Sequence, residues 1–168
     1  MATRKNITMG GNPITLLGTE VKVGDVATDF TVLDQDQSDV SLSDVKGKTV
    51  IISVVPSVDT SVCAFQTRRF NQMASELDNT VIYTISVDLP FALERFCAAE
   101  GIDNIKVLSD HKSLDFGNKY GFVIEEARLL SRGIVIVDPD GVIQYVEYVE
   151  EVSNHPDYEK ALEAAKSM

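Results

Sequence analysis

The chain has 168 residues, of which 44% are hydrophobic and 24% are charged, and this balance is typical of a globular domain that needs neither disulfides nor a metal to fold. The net charge of −11 argues against nucleic acid or an anionic membrane as a partner, because phosphate groups would be repelled. No apolar run approaches the roughly 18 residues that a membrane span needs, and the polar N-terminus shows no secretory signal. We therefore expect a single domain, residues 1–168, in the cytoplasm.

Apolar periodicity, β-branched runs and turn residues predict an alternation of strands and helices. In chain order we expect a β-hairpin (7–17, within an N-terminal extension of residues 1–20), strands over 30–33 and 49–55, a helix over 61–78, a strand over 80–87, a helix from Pro90 up to Gly101, a strand over 105–108, a helix over 113–120, strands over 133–138 and 142–149, and a helix over 156–165.

This order contains a βαβ unit that is followed by a ββα unit. The run 49–55 is nearly continuous in β-branched residues, which indicates a strand buried on both faces. We therefore predict an α/β fold, a thioredoxin-like sandwich with a mixed central sheet flanked by helices and an extra N-terminal β-hairpin.

Cys63 is the first candidate for chemistry. It follows a buried strand and a turn, and it begins a predicted helix. Free backbone N–H groups and the positive end of the helix dipole favour an anion at that place, and the thiolate is the reactive form of cysteine. An inert core cysteine is the alternative, but the strand–turn–helix position favours a reactive group.

Three residues could assist Cys63. Thr60 lies one turn before it and could hydrogen-bond the sulfur or an attacked oxygen, although Thr60 could equally cap the helix. Pro56 could shield the site or simply end the strand. Arg132 precedes the strand 133–138. It could stabilise a thiolate and the negative charge on the oxygen that leaves when an O–O bond is cleaved, or it could be a solvated loop residue.

Cys97 lies on the apolar stripe of its helix, where it is most simply a small buried hydrophobe. A second role arises only if Cys63 is oxidised, because a sulfenic acid condenses with a nearby thiol to form a disulfide. Position alone favours the core role and leaves the second one open.

Several other chemistries fail on spacing. No second cysteine follows Cys63 at the fourth position, so the dithiol motif of a disulfide oxidoreductase is missing. His111 and His155 are isolated, so no zinc cluster is expected, and a distant Cys–His pair is a weak alternative. No glycine pattern of a dinucleotide or phosphate loop follows a strand. We expect no metal and no cofactor.

The segment Pro56-Ser57-Val58-Asp59-Thr60-Ser61-Val62-Cys63 resembles the Pro-x-x-x-Thr-x-x-Cys site of the peroxiredoxins. The wider chain is similar to the bacterial thiol peroxidase family, the atypical two-cysteine peroxiredoxins. The similar parts cover nearly the whole chain: the hairpin, 56–71, 86–92, 95–97, Arg132 before its strand, and 156–158.

The resemblance implies a mechanism. Cys63 would be the peroxidatic cysteine that reduces hydrogen peroxide or an organic hydroperoxide and becomes a sulfenic acid. Thr60 and Arg132 would orient the peroxide, and Pro56 would shield the pocket. Cys97 would be the resolving cysteine, forming an intramolecular disulfide that thioredoxin reduces. Members are typically homodimers that need neither metal nor flavin.

Two other classes compete with this interpretation. A disulfide reductase or isomerase on the same fold lacks support because the Cys-x-x-Cys motif is missing. A peroxide-responsive redox sensor or binding module would use the same residues, with the disulfide as a switch. A purely structural protein leaves the spacing of Pro56, Thr60 and Cys63 unexplained.

Overall fold

A computed structural model describes residues 3–168; Met1 and Ala2, with which the predicted extension begins, lie outside this range. Its elements are β1 (Thr3–Met9), β2 (Asn12–Leu17), β3 (Thr31–Leu33), β4 (Asp39–Ser41), β5 (Thr49–Val54), α1 (Ser61–Met73), β6 (Thr80–Ser86), α2 (Pro90–Glu100), β7 (Lys106–Ser109), α3 (Asp115–Tyr120), β8 (Val123–Ile124), β9 (Leu129–Leu130), β10 (Gly133–Val137), β11 (Ile143–Tyr148) and α4 (Tyr158–Lys166), with short 3-10 turns at Leu42–Val45 and Ala74–Glu76.

The central sheet has seven strands in the order β11-β10-β5-β6-β7-β3-β4. β5, β6 and β7 run parallel to one another, whereas β10 pairs antiparallel with β5 and β3 pairs antiparallel with β7. A second sheet has the order β1-β2-β8-β9. The predicted thioredoxin-like fold with a mixed sheet and an N-terminal hairpin is thus confirmed.

Strand β5 is buried along its whole length, as its β-branched run predicts. On one face, Val50, Ile52 and Val54 join the larger apolar core. On the other face, Ile51 packs in a cluster with Phe70 of α1 and with residues of α4. Layers of helix and loop therefore cover both faces, which is the reason why buried and exposed residues do not alternate along this strand.

Some predicted boundaries were wrong. The helix over 61–78 ends earlier, at Met73, and tightens into the 3-10 turn Ala74–Glu76, where the Ser75 hydroxyl donates to the carbonyl of Gln72 (2.9 Å). Strands β4, β8 and β9 were not predicted. Each has only two or three residues, too few for a period of two to stand out.

The C-terminal ends of β5 and β6 and the N-terminal start of β10 lie at the same end of the central sheet. α1 begins seven residues beyond the end of β5, α2 begins four residues beyond the end of β6, and Arg132 directly precedes β10. Since β10 is antiparallel to β5, with Gly133 opposite Val54, the start of β10 lies beside the end of β5. Among residues 3–168, none of the helices has the length and apolar character that a bilayer crossing requires.

Candidate active site

Cys63 is the third residue of α1 and is fully buried. Thr60 is the N-cap of this helix, and its Oγ1 accepts a hydrogen bond from the backbone N–H of Cys63 (3.4 Å). The hydroxyl of Thr67, one turn further on, donates to the carbonyl of Cys63 (2.9 Å). The sulfur is therefore carried on a well-anchored first helical turn, where the helix dipole favours negative charge.

Arg132 is buried beside Cys63, with only 2% of its surface exposed. Its guanidinium donates from Nη2 to Sγ of Cys63 (3.1 Å), from Nη1 to Oε1 of Gln66 (3.0 Å) and from Nε to the carbonyl of Val152 (2.6 Å). In the part of the chain that the structure describes, Arg132 makes no salt bridge with a carboxylate. Of its three partners, only the thiol of Cys63 can become an anion.

Gln66 connects this guanidinium to the central sheet. It lies one turn after Cys63 and is fully buried. Its Oε1 accepts from Arg132, while its Nε2 donates to Oγ of Ser53 (2.8 Å) and to the carbonyl of Val54 (3.4 Å) in β5. Both ends of the amide are thus satisfied, and the orientation of Arg132 is determined by β5 as well as by α1.

The carbonyl of Val152 belongs to a loop that is tied to the N-terminal hairpin. Glu151, the preceding residue, accepts hydrogen bonds from the backbone N–H groups of Gly10 (3.1 Å) and Gly11 (2.7 Å) at the hairpin turn. The hydroxyl and the backbone N–H of Ser153, followed by the N–H of Gly11, lower the pKa of Glu151 to about 2. The hairpin therefore helps to hold the loop that contacts Arg132.

A cavity of about 270 Å³ opens beside the site. Three of the predicted site residues, Pro56, Thr60 and Arg132, line it. The rest of the lining is largely apolar, and β1 contributes Met9 to it. Cys63 does not line the cavity, but Thr60 and Arg132, which both hydrogen-bond Cys63, do.

Cys97 lies in α2 and is 8% exposed. Both cysteines are free thiols, and they belong to one apolar cluster. The amide Nε2 of Gln35 donates to Sγ of Cys97 (3.3 Å). Burial raises the pKa of the Cys97 thiol, and the charge of Asp34 adds to this, while the bond from Gln35 opposes it. Cys97 is therefore a neutral thiol, and a neutral thiol is a weaker nucleophile than a thiolate.

Across the residues that the structure describes, neither histidine forms a hydrogen bond with Cys63. His155 has its Nδ1 within 2.8 Å of Oη of Tyr158 and stacks edge-on against Phe65, with ring centroids 4.9 Å apart. His111 uses its backbone, not its ring, in the hydrogen bonds that it makes. Within residues 3–168, no group of three or more His, Cys, Asp or Glu side chains is arranged to hold a metal ion.

Replacement of Gln66 by leucine is expected to destabilise the fold, because a buried N–H of Arg132 and the hydroxyl of Ser53 lose their partner. We expect the free energy of unfolding to fall by about 2 to 6 kcal/mol, at about 1 to 3 kcal/mol for each of the two unsatisfied groups. Urea unfolding of both proteins measures this difference. Gln72→Leu, at an exposed position of the same helix, is the control and should shift stability by no more than about 0.5 kcal/mol.

Gln66 was not predicted from the sequence, although a signal for it was present. Phe70 and Met73 define the apolar face of α1, and Gln66 and Cys63 continue that face one and two turns towards the N-terminus. A glutamine on a buried helical face needs partners for its amide. The partners themselves come from β5 and from the residue before β10, which are distant in sequence.

The residues 22–162 match the family model described as Redoxin. A thiol peroxidase of Oceanobacillus iheyensis is 62% identical over 157 residues, which cover 94% of this chain and 96% of the relative. A thiol peroxidase of Bacillus subtilis is 54% identical over 162 residues, which cover 96% of this chain and 97% of that protein.

Among solved structures, the crystal structure of a peroxiredoxin-like protein from Aquifex aeolicus superposes with a TM-score of 0.92. It is 34% identical in sequence, and the match covers 99% of each chain. The similarity thus extends over the hairpin, the central sheet and all the segments that carry the candidate site. The chain belongs to the Redoxin family and, within it, to the thiol peroxidases.

Proposed function

We propose that the chain reduces hydrogen peroxide and organic hydroperoxides through a sulfenic acid at Cys63, which Cys97 resolves as an intramolecular disulfide. The observation that carries this proposal is the contact of 3.1 Å between Nη2 of Arg132 and Sγ of Cys63 at the start of α1. A buried cation that touches a buried thiol stabilises the thiolate, the form that attacks peroxide.

In the first step, the thiolate of Cys63 attacks the terminal oxygen of the hydroperoxide. An S–O bond forms while the O–O bond breaks, and the alcohol or water leaves after it takes up a proton. Negative charge develops on the leaving oxygen. Arg132 and Thr60 line the cavity beside Cys63, and we propose that they orient the peroxide and stabilise this charge.

The cavity supports a substrate that carries an organic group. Its volume of about 270 Å³ exceeds what hydrogen peroxide needs, and Met9, Val62 and Leu129 give it apolar walls. Pro56 lines the same cavity and would keep water from the reacting sulfur. An alkyl hydroperoxide would place its apolar chain against these walls and its peroxide group towards Arg132.

In the second step, the thiol of Cys97 attacks the sulfenic acid of Cys63, and water leaves as the disulfide forms. The two cysteines share one apolar cluster, which supports their pairing. We propose that thioredoxin then reduces the disulfide and that the chain works as a homodimer in the cytoplasm, where a reducing environment returns both thiols. The exposed Phe65 and Phe91, near the starts of α1 and α2, offer apolar surface for contact with thioredoxin or with a second copy of the chain.

The test is oxidation of the reduced protein by less than one equivalent of hydroperoxide in a stopped-flow instrument, with the intact mass read on the quenched sample. Fast loss of peroxide and a mass lower by two hydrogens support the proposal. Oxidation no faster than that of a free thiol would contradict it. Fast oxidation without catalytic turnover in the presence of thioredoxin and its reductase would instead favour the peroxide sensor.

Replacement of Cys97 by serine is expected to leave the first oxidation intact and to stop recycling by thioredoxin, because the sulfenic acid has no internal thiol partner. Mass spectrometry of the quenched variant should show one added oxygen and no disulfide. Wild-type protein treated in parallel is the control. Steady thioredoxin-linked turnover in Cys97→Ser would remove Cys97 from the mechanism.

A further inference from the structure

Asp88 lies in the loop between β6 and α2, shortly before the helix that carries Cys97 begins. Its carboxylate accepts three hydrogen bonds. Oδ1 accepts from the hydroxyl of Ser57 (2.7 Å), and Oδ2 accepts from the backbone N–H of Val58 (2.9 Å) and from the hydroxyl of Ser86 (2.8 Å). The side chain thus connects the loop before α2 to the loop before α1.

The bonds to Ser57 and Val58 support the turn that places Cys63. The carbonyl of Ser57 accepts from the backbone N–H and from the hydroxyl of Thr60, both at 3.3 Å. Thr60 in turn caps α1 at the N–H of Cys63. Asp88 therefore holds the peptide segment on which the first turn of α1 rests.

The main chain of Asp88 is held on the other side. Its carbonyl accepts from the hydroxyl of Ser109 at the end of β7. The carbonyl of Ser86, two residues before Asp88, accepts a hydrogen bond from the N–H of Asp110 (2.8 Å). The loop that carries Asp88 is thus fixed to the central sheet, and its carboxylate is the bridge from that fixed loop to the segment of Cys63.

Peroxide attack and disulfide formation make opposite demands on this bridge. Attack uses Cys63 as it stands, in contact with Arg132. In a disulfide the two sulfur atoms lie about 2.05 Å apart. Here both thiols are free, and Sγ of Cys97 accepts a hydrogen bond from Gln35. Cys63 is the third residue of α1, whereas Cys97 is the eighth residue of α2, so we infer that the first turn of α1 is the part that moves. Such a movement stretches the bonds that Asp88 makes to the segment before α1.

We propose that Asp88 is a positioning residue that holds the Cys63 segment ready for peroxide attack, and that its bonds to Ser57 and Val58 open when Cys63 and Cys97 join. This inference rests on the proposed two-cysteine function. Water is released as the sulfenic acid of Cys63 condenses with the thiol of Cys97, so no further reactant is needed. Weakening the bridge therefore slows the first step and accelerates the second.

The experiment measures both steps in Asp88→Asn, which keeps the shape of the side chain but loses an acceptor oxygen. Reduced protein is mixed with limiting hydrogen peroxide and quenched at intervals, and intact mass separates sulfenic acid from disulfide. We expect sulfenic acid to form about tenfold more slowly, as the loss of hydrogen bonds to a charged group permits. We expect disulfide to form from it about threefold faster, since the opening costs less.

Asp138→Asn is the matched control. Asp138 directly follows β10. Its carboxylate also accepts three hydrogen bonds, from the N–H groups of Asp140 (2.9 Å) and Val142 (3.0 Å) and from Nε2 of Gln144 (2.8 Å). These bonds lie in the turn between β10 and β11 and involve neither cysteine segment. Both rates in this variant should stay within about twofold of the wild type.

Ser57→Ala removes a single hydrogen bond of Asp88 and replaces Asp88→Asn as the test if that variant does not fold. In Ser57→Ala, sulfenic acid should again form more slowly and disulfide faster, with smaller changes than in Asp88→Asn. Two rates that fall together, or that do not change in either variant, would overturn the role of Asp88 while wild-type turnover left the proposed function standing. A wild-type protein that forms no disulfide at all would overturn the two-cysteine function itself, and the inference with it.

Discussion

Cys63→Ser will reduce peroxide turnover to the rate of the uncatalysed background. A serine hydroxyl stays protonated at neutral pH, so the contact with Nη2 of Arg132 no longer holds a nucleophile. We expect this to be the largest effect of any substitution in the site. Consumption of hydrogen peroxide, coupled to thioredoxin, its reductase and NADPH, measures it.

Cys97→Ser is the control for Cys63→Ser, because it removes the other thiol and leaves Cys63 in place. That variant should still consume one equivalent of peroxide, whereas Cys63→Ser should consume none. Circular dichroism establishes that both variants are folded. Full thioredoxin-linked turnover in Cys63→Ser would show that another group reacts with peroxide.

Arg132→Met will slow sulfenic acid formation by about 100- to 1,000-fold, the range found when one preorganised donor is removed from a transition state. Methionine keeps much of the length and the apolar stem but removes the charge and the three donated bonds. Arg132→Lys should be intermediate, because an ammonium group retains the charge without the planar fork. Stopped-flow oxidation under limiting peroxide measures each rate.

Arg69→Ala is the charge-matched control. Arg69 lies on the same helix as Cys63, but its Nη2 contacts Oε1 of the exposed Glu159 (3.1 Å). Its removal should change the oxidation rate by less than about threefold, because a partly exposed charge that is paired with a carboxylate is screened by solvent and salt. Similar losses in Arg69→Ala and Arg132→Met would mean that net charge, and not the contact with Sγ, sets the rate.

The parts of the fold that were predictable have strong local patterns. The β-branched run of β5 identified a strand buried on both faces, and the spacing of Phe70 and Met73 identified α1. Gly101 was the predicted stop of α2, and it caps the helix in the left-handed conformation (φ 66°). The short strands β8 and β9 were not predicted because each has only two residues, which are ordered by strand pairing and not by their own periodicity: β8 pairs with β2 of the hairpin, and β9 pairs with β8.

The candidate site divides in the same way. Cys63 and Thr60 could be assigned from a single segment, because a helix start after a buried strand is a local feature. The environment of Arg132 could not, since its partners Gln66 and Val152 are 66 and 20 residues away in the chain. Only the antiparallel pairing of β10 with β5 brings the guanidinium to the sulfur.

By itself, the sequence determined the family pattern, the order of the longer elements and the positions of the two thiols, because these depend on residue types and short spacings. The tertiary structure alone decided that the guanidinium of Arg132 is buried against Cys63, that the hairpin contributes Met9 to the cavity wall, and that Asp88 joins the two cysteine segments. Such contacts between distant segments are set by strand pairing and packing, and no local pattern encodes the distances that result.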